Sequence, residues 1–384
     1  MQCRVNNGQA PISTEGNNIM IRKKILIIIC MLITLIGTSS CNDLTTNKSK
    51  KTAIVPNTSD ASAETENTIS ETEYIPPVTV ECSNNDIHKG NLILVNKDHE
   101  YIGEGTEDLV NIYNSKHESY EVNTTEMMIN TQVLDAMNLM FDDFFAVNGI
   151  SDVLANSGYR SREEQQKLFD SDRALTGLEN SDTVAPPGYS EHHTGYAMDF
   201  AINDGGYYPA LKNEGQYQWI YNNAEKYGFI LRYTEQNKDI TGYAAESWHF
   251  RYLGNPHATL IKRMGISYEE YVHFIKDFSF EQPLEYKYSE NELYKIYYVP
   301  ADTSSNVTQI PVAIGGTEQP GSDAYSISGD NIGGFIVTLK TQELSEDYNE
   351  AVFDMFKIPE QVHTESSLQE YTDSSDENLQ YEQE

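Results

Sequence analysis

The sequence is poor in basic residues and in cysteine. Lys and Arg number 26 among 384 residues against 59 Asp and Glu, which gives a formal net charge of −33. Proteins that bind nucleic acid need clustered cations to neutralise the phosphate backbone. The composition therefore argues against nucleic acid as a partner. The length is enough for one substantial domain with smaller pieces attached.

The apolar run near the N-terminus, Ile25–Ile36, is too short to span a bilayer comfortably, which takes about 20 residues. Basic residues precede it at Arg22–Lys24, and small residues lead from it to Cys41, which is the layout of a secretory signal peptide. Small residues before a cysteine also resemble a bacterial lipobox, although Thr38 replaces the usual leucine. We predict lipidation of Cys41. An uncleaved membrane anchor and a plain secretory cleavage site nearby are the alternatives.

The four cysteines have different fates in this interpretation. Cys3 and Cys30 would be removed with the leader, and Cys41 would become the lipidated first residue. Cys82 then remains alone, and a single thiol forms neither an internal disulfide nor a cysteine-based metal site. We expect an extracytoplasmic lipoprotein, anchored to the outer face of the bacterial cytoplasmic membrane by its lipid.

Composition divides the chain into five predicted parts. Two stretches, one after Cys41 and one at the C-terminus, have too few large apolar residues to bury a core. The predicted parts are a leader with a lipoprotein-type signal peptide (1–41), a disordered tether (42–85), a main domain (86–278), a small β-rich domain (279–340) and an acidic, disordered tail (341–384).

Hydrophobic periodicity in the main domain indicates both helices and strands. Apolar residues recur at helical spacing before Gly149, and Ser161 with Glu164 forms a capping box at the start of a second helix. Leu92–Val95 is typical of a short strand. The irregular mixture predicts an α+β fold, in which a small mixed or antiparallel sheet with flanking helices carries the candidate site and a small β-rich C-terminal appendage follows.

The stretch SEHHTGYAMDF contains adjacent histidines, His192 and His193, followed by Asp199. Strand alternation places Asp199 on the face opposite Met198 and Phe200, which can then pack into the core. A carboxylate turned inward beside a histidine needs a partner, because an unpaired buried charge is costly.

The stretch ESWHFRY adds a second group of polar residues on a strand that otherwise looks buried. His249 with His192 and Asp199 offers two imidazoles and one carboxylate, a ligand set that suits Zn²⁺ with a fourth position left for water. Glu246 lies three residues before His249 and is the natural general base. Such spacings also arise by chance, so ordinary surface or core residues are the alternative.

The segments SGYRS, SEHHTGYAMDF and ESWHFRYLG, in this order, resemble the signature segments of the LAS metallopeptidases, specifically of the VanY-type D-alanyl-D-alanine carboxypeptidases of bacterial cell walls. The resemblance covers roughly residues 86–278. It implies one zinc ion held by His192, Asp199 and His249. It also implies Glu246 as the catalytic base.

The resemblance further assigns Arg160 to catalysis and substrate binding, and Ser190 to a hydrogen bond with the substrate. A salt-bridging surface arginine and a loop cap are the respective alternatives. Two residues depart from the family pattern. His193 replaces a commoner glutamine and could compete for the metal, and Ser247 replaces a frequent proline.

The implied reaction is zinc-dependent removal of the terminal D-Ala from peptidoglycan stem pentapeptides. Within the same fold, an L,D-carboxypeptidase or a peptidoglycan endopeptidase would share these motifs. A wall-binding lipoprotein without catalysis is a further alternative, which loss of a ligand or of Glu246 would favour. The sequence retains all four positions.

Overall fold

The computed structural model describes residues 77–103, 105–106, 108–179, 181, 183–314 and 324–356. The predicted signal peptide, the lipidation site at Cys41, most of the predicted tether and the end of the acidic tail lie outside these residues. Within the described ranges, no helix has the length and apolarity needed to cross a membrane.

Strands and helices follow one another without regular alternation, as an α+β fold requires. The described strands are β1 (Pro77–Ser83), β2 (Leu109–Asn111), β3 (Glu121–Val122), β4 (Met128–Asn130), β5 (Val153–Ser157), β6 (Ala197–Ile202), β7 (Phe229–Tyr233), β8 (Glu246–Tyr252), β9 (Leu284–Lys287), β10 (Leu293–Pro300), β11 (Val307–Ile314), β12 (Tyr325–Gly329) and β13 (Gly334–Thr341). The described α-helices are α1 (Ile112–Ser115), α2 (Thr131–Asn148), α3 (Arg162–Thr176), α4 (Gln218–Asn223), α5 (Lys238–Thr241), α6 (His257–Met264) and α7 (Tyr268–Ile275).

A five-stranded mixed sheet, the central sheet, is the largest sheet of the described residues and has the strand order β3-β5-β6-β8-β7. Strands β3 and β5 are parallel, and the other neighbours are antiparallel. Helix α2 covers one face with its apolar stripe, and Phe141 packs edge-on against Phe200 of β6 with ring centroids 5.1 Å apart. The helix ends at Gly149, whose φ of 71° is a left-handed conformation that suits glycine. The predicted fold class is confirmed.

A second, antiparallel sheet is formed by the C-terminal strands in the order β12-β13-β10-β9, and β1 pairs with β11. Strands β10, β11, β12 and β13 lie in the region where the sequence predicts a small β-rich domain, and β9 is not predicted. Strand β1, however, falls inside the predicted disordered tether, so that prediction is wrong for residues 77–83. Its partner lies far away in the sequence, with Val80 opposite the fully buried Ile310. A strand whose burial depends on so distant a partner has only a weak local signal.

The predicted strand Leu92–Val95 is also wrong, although its residues are buried. Its backbone bonds to side chains and loops in place of a neighbouring strand. The N–H of Leu92 donates to Ser328 Oγ at 2.9 Å, and the carbonyl oxygen of Ile93 accepts from the Arg251 guanidinium at 2.9 Å. The apolar run therefore predicts burial correctly, but the segment does not form a strand.

The beginning of the acidic tail is ordered, contrary to prediction. A 3₁₀ helix spans Glu350–Phe356, and Phe353 is buried with its ring edge-on to Tyr286, 5.3 Å between centroids. Arg263 on α6 donates to Glu350 Oε1 at 2.6 Å. The buried Phe353 ring and the ion pairs of Arg263 with Glu350 and Asp354 attach this acidic segment to the domain.

Candidate metal centre and active site

Three side chains meet on the central sheet. Asp199 on β6 lies directly opposite His249 on β8. His192 lies in a 3₁₀ helix, Glu191–Thr194, immediately before β6. Gly195 ends that helix with φ 72°, which lets the chain turn sharply into the strand. The turn brings His192 back to the side chain of Asp199.

The candidate ligand atoms of these residues lie within 4.8 Å of one another. Asp199 is central, because Oδ2 is 3.2 Å from His192 Nε2 and Oδ1 is 3.0 Å from His249 Nδ1. The two imidazole rings meet edge to face with centroids 5.0 Å apart. The structure thus brings together the three residues that the sequence nominates as metal ligands.

Hydrogen bonds on the far side of each ring determine which nitrogen faces Asp199. His192 Nδ1 donates to the carbonyl oxygen of Gly158 at 2.7 Å, which leaves Nε2 as the free nitrogen. His249 Nε2 donates to Glu191 Oε2 at 3.2 Å, which leaves Nδ1. A histidine whose other nitrogen is held in this way is oriented to bind a metal.

The electrostatics of the three residues suit a cation. Burial by itself disfavours an ionised carboxyl, but the two imidazoles lower the pKa of Asp199 below its usual range. Burial lowers the pKa of His192. Burial also opposes protonation of His249, yet its contacts with Asp199 and Glu191 raise its pKa to about 10. The histidine beside two carboxylates thus occupies a site that attracts positive charge.

One buried atom of the triad lacks a hydrogen bond. Asp199 Oδ1 accepts none from the described residues, although His249 Nδ1 lies 3.0 Å away. A metal ion would satisfy this oxygen. Two imidazole nitrogens and one carboxylate oxygen form a donor set that fits Zn²⁺.

Glu246 opens strand β8 next to the triad, and its side chain is buried. Its Oε2 lies 3.7 Å from His249 Nδ1. Burial raises the pKa of Glu246 to about 7, and the negative charge of Asp199 acts in the same direction. A carboxyl that titrates near neutrality beside a candidate metal site is suited to general acid–base chemistry.

Arg160 reaches the same site from the turn between β5 and α3. Its guanidinium donates to Ser157 Oγ at 2.7 Å and to Gln165 Oε1 at 2.6 Å, and Nη2 lies 3.9 Å from Asp199 Oδ2. The backbone N–H of Arg160 donates to the carbonyl oxygen of His192 at 3.1 Å. This bond joins the arginine turn to the turn that carries the first candidate ligand.

Similarity to known proteins decides the family. The sequence model described as VanY, D-alanyl-D-alanine carboxypeptidase, matches residues 126–255, which contain every site residue named above. The chain is 32% identical over 258 residues to a D-alanyl-D-alanine carboxypeptidase of Enterococcus faecium, with 66% of this chain and 76% of that protein covered. The chain belongs to the VanY family.

Two other similar proteins support this assignment. The putative carboxypeptidase YodJ of Bacillus subtilis (strain 168) is 37% identical over 161 residues, which are 41% of this chain and 58% of that protein. The crystal structure of the vancomycin resistance D,D-dipeptidase VanXYg in complex with a D-Ala-D-Ala phosphinate analog superposes with a TM-score of 0.60 at 32% identity, covering 69% of this chain and 99% of that chain. The predicted resemblance is confirmed, and the protein is a peptidase of this family.

Two other residues of the SEHHTGYAMDF segment support the turn. Ser190 Oγ accepts a hydrogen bond from the N–H of His192 at 3.4 Å and caps the 3₁₀ helix. His193 Nδ1 donates to the carbonyl oxygen of Arg160 at 2.7 Å, and its Nε2 accepts from the N–H of Gly188 at 2.9 Å. Both nitrogens of His193 are therefore engaged, and burial lowers its pKa to about 4. The second histidine shapes the site and does not join the triad.

The buried charges behind His249 are not predicted from the sequence. Glu191 pairs there with Arg232 and Arg251, and all three side chains are fully shielded from solvent. A signal was present, because each arginine interrupts a strand that is otherwise apolar, FILRY and WHFRY. A charge on such a strand requires a buried partner. The sequence gives no means of naming that partner.

Proposed function

We propose that the protein is a zinc-dependent D,D-carboxypeptidase that removes the terminal D-Ala from peptidoglycan stem pentapeptides. The observation that carries this proposal is the convergence of His192, Asp199 and His249 within 4.8 Å. The carboxylate of Glu246 lies 3.7 Å from His249 in the same site. Membership of the VanY family supports the choice of substrate.

One zinc ion would be held by His192 Nε2, His249 Nδ1 and the carboxylate of Asp199. When bound, the ion supplies Lewis acidity, which acidifies a water molecule and polarises a carbonyl group. The protein contributes a fixed ligand geometry, because two of these residues lie on paired strands.

Glu246 acts first as general base and then as general acid. With a pKa of about 7 it accepts a proton from the attacking water and returns one to the leaving amine near neutral pH. The water oxygen bonds to the carbonyl carbon and the terminal C–N bond breaks. The products are a stem peptide shortened by one residue and free D-Ala.

Arg160 and Ser190 bind the substrate. The Arg160 guanidinium is already held by Ser157 and Gln165, so it can stabilise negative charge on the carbonyl oxygen or the terminal carboxylate without reorganising. Within the described part of the chain, Ser190 Oγ accepts one hydrogen bond in its cap, at 3.4 Å, and its hydroxyl proton has no acceptor there, so it can donate to the peptide.

We also propose that the enzyme is attached by a lipid on Cys41 to the outer face of the cytoplasmic membrane, within reach of the wall. The basic, apolar and small-residue layout before Cys41 supports this location. Incorporation of a labelled fatty acid into the wild-type protein, and none into Cys41→Ser, is the expected result. Equal labelling of the two would refute the anchor.

Hydrolysis of the free dipeptide D-Ala-D-Ala is the second candidate function. It is favoured by the structural neighbour at TM-score 0.60, a D,D-dipeptidase whose chain is covered over 99% of its length. The two activities differ in whether the site accepts a long stem before the scissile bond.

The test uses the full-length protein in detergent with a synthetic pentapeptide stem, a tetrapeptide stem and free D-Ala-D-Ala, followed by mass spectrometry. Each reaction is run with chelator, after zinc is restored, and with Glu246→Gln. Glu235→Gln is the matched control, because Glu235 is an exposed glutamate of the neighbouring loop.

Zinc-dependent loss of one alanine from the pentapeptide is the expected result. Glu246→Gln should lower kcat by on the order of 10²–10⁴-fold, and Glu235→Gln should leave it unchanged. Cleavage of the dipeptide alone would favour the dipeptidase, and cleavage of the tetrapeptide alone an L,D-carboxypeptidase. No cleavage by folded, zinc-loaded protein would refute the proposal.

A further inference from the structure

The carboxylate of Glu191 lies directly behind His249, and the side chain is fully buried. Its two oxygens have different partners. Oε2 accepts the hydrogen bond from His249 Nε2 at 3.2 Å. Oε1 accepts from Arg232 Nε at 2.8 Å and from Arg251 Nη1 at 3.1 Å. One oxygen therefore serves the candidate metal ligand and the other serves the two arginines.

This division fixes which nitrogen carries the proton when the His249 ring is neutral, as it must be to bind a metal ion. An ionised carboxylate can only accept hydrogen bonds, so the nitrogen that faces Glu191 must be N–H. Nε2 is that nitrogen, and Nδ1 on the other side of the ring is directed to Asp199 Oδ1, 3.0 Å away. The opposite tautomer would place a lone pair against the carboxylate and an N–H at the metal position.

The arginines keep Glu191 in the ionised form. Two guanidinium groups donate to its Oε1, and charge-assisted hydrogen bonds of this kind stabilise the ionised carboxylate. Arg232 has a second anionic partner, since Glu269 accepts from its Nη1 at 3.0 Å and from its Nη2 at 2.5 Å. Two buried arginines are thus balanced by two carboxylates, of which only Glu191 contacts His249.

We propose that Glu191 is a positioning residue of the metal centre, which accepts the Nε2 proton of His249 and thereby presents Nδ1 to zinc. The inference rests on the proposed zinc site. Outer carboxylates of this kind orient metal-binding histidines, and their loss costs about 10–100-fold in metal affinity. Glu191 touches neither substrate nor metal and acts through His249.

Glu191→Gln gives the sharpest test, because the amide cannot serve both sets of partners. Its oxygen is needed by the arginine donors, so its NH₂ group must face His249 Nε2, and two donors then oppose each other. The variant should favour the tautomer with its proton on Nδ1, which is the wrong one for binding zinc. Glu269→Gln removes the same charge from Arg232 without touching His249 and is the matched control.

The experiment measures zinc affinity of the full-length protein by competition with a chromophoric chelator, separately from peptide cleavage. We expect Glu191→Gln to bind zinc about 10–100-fold more weakly than wild type, and Glu269→Gln to stay within about threefold. Glu191→Asp keeps the acceptor and the charge and should fall between wild type and Glu191→Gln. Long-range ¹H–¹⁵N NMR of the zinc-loaded proteins should report Nε2–H and metal-bound Nδ1 for His249 in wild type.

Equal zinc affinity in wild type and Glu191→Gln would overturn the inference, and so would an equal loss in Glu191→Gln and Glu269→Gln. If Glu191→Gln does not fold, as judged by circular dichroism, Glu191→Asp is compared with Glu269→Asp. Weaker zinc binding in Glu191→Asp alone supports the role, and equal binding refutes it. Failure of wild type itself to bind zinc would refute the proposed metal site instead.

Discussion

Asp199 and His249 lie directly opposite each other on neighbouring antiparallel strands, with Asp199 Oδ1 3.0 Å from His249 Nδ1. Opposed residues of such a pair have Cβ atoms about 5 Å apart. Backbone pairing in the centre of the sheet therefore sets the spacing of two candidate ligands. Only the third, His192, depends on a turn, and that turn is tied to the sheet through Gly158.

Asp199→Asn should abolish tight zinc binding while leaving the protein folded. The amide keeps the shape of the carboxylate but removes the charge that balances the cation, so we expect zinc affinity to fall by on the order of 100-fold or more. Competition with a chelator measures the loss. Asp204→Asn, in an exposed turn after β6, is the control. Unchanged affinity in Asp199→Asn would show that the metal binds elsewhere.

Arg160→Lys should impair catalysis without affecting the metal. Lysine cannot reproduce the planar guanidinium, which donates hydrogen bonds to both Ser157 and Gln165. We expect kcat/KM for the pentapeptide to fall by on the order of 10²–10³-fold, with zinc affinity unchanged. Arg173→Lys, on the exposed side of α3, should match wild type. A normal kcat/KM in Arg160→Lys would remove this residue from the mechanism.

His257 should make the stability of the protein depend on pH. His257 opens α6, and its buried ring lies between α7 and β13, where Nδ1 contacts Tyr271 Oη at 2.6 Å and Nε2 contacts Thr338 Oγ1 at 2.8 Å. Burial lowers its pKa from 6.5 to about 3. The unfolded chain therefore binds a proton before the folded one does. The contribution of His257 is complete above pH 6.5 and is lost as the pH falls toward 3.

We expect protonation of His257 in the unfolded chain to lower the free energy of unfolding by about 1.4 kcal/mol for each pH unit below the ordinary pKa of histidine. Urea denaturation of wild type and His257→Asn at several pH values isolates the effect from that of the carboxylates. The stability of wild type relative to the variant should decrease between about pH 6 and pH 4. A difference that does not change with pH would contradict the prediction.

Asn331, in the turn between β12 and β13, should contribute strongly to stability. Its side chain donates to the carbonyl oxygens of Leu94 and Glu100 at 2.9 and 3.0 Å and accepts from His88 Nδ1 at 2.7 Å. We expect Asn331→Ala to lower the free energy of unfolding by about 2–4 kcal/mol. These bonds attach the C-terminal sheet to the segment that replaces the predicted strand.

A comparison of Asn331→Gly with Asn331→Ala separates the effect of the lost hydrogen bonds from the effect of backbone strain. Asn331 has a φ of 60°, which glycine adopts without strain and alanine does not. Asn331→Gly loses the same hydrogen bonds as Asn331→Ala, but its free energy of unfolding should be higher by about 1 kcal/mol. Denaturant unfolding measures both variants. Equal free energies of unfolding for Asn331→Ala, Asn331→Gly and wild type would show that the hydrogen bonds of Asn331 do not stabilise the protein.

Local signals in the sequence were sufficient for several elements. Helix α3 begins at the predicted cap, where Ser161 and Glu164 bond each other's backbone N–H groups. Helix α2 and the C-terminal strands also follow their patterns. The failures, β1, Leu92–Val95 and the beginning of the acidic tail, share a cause, because each segment is ordered by partners that are distant in the sequence. A run of apolar residues predicts burial, but it does not predict which groups form hydrogen bonds with its backbone.

The sequence by itself determined the chemistry of the site. The identity and order of the ligand candidates, the nearby glutamate and the arginine turn can all be read from three short segments. Tertiary structure decided which other residues hold these side chains in place. Glu191, next to a ligand candidate in the sequence, acts on His249 of another strand, and two arginines of separate strands neutralise it. A side chain's partner depends on which strands pair and in which register, and residue type and spacing along one segment do not contain that information.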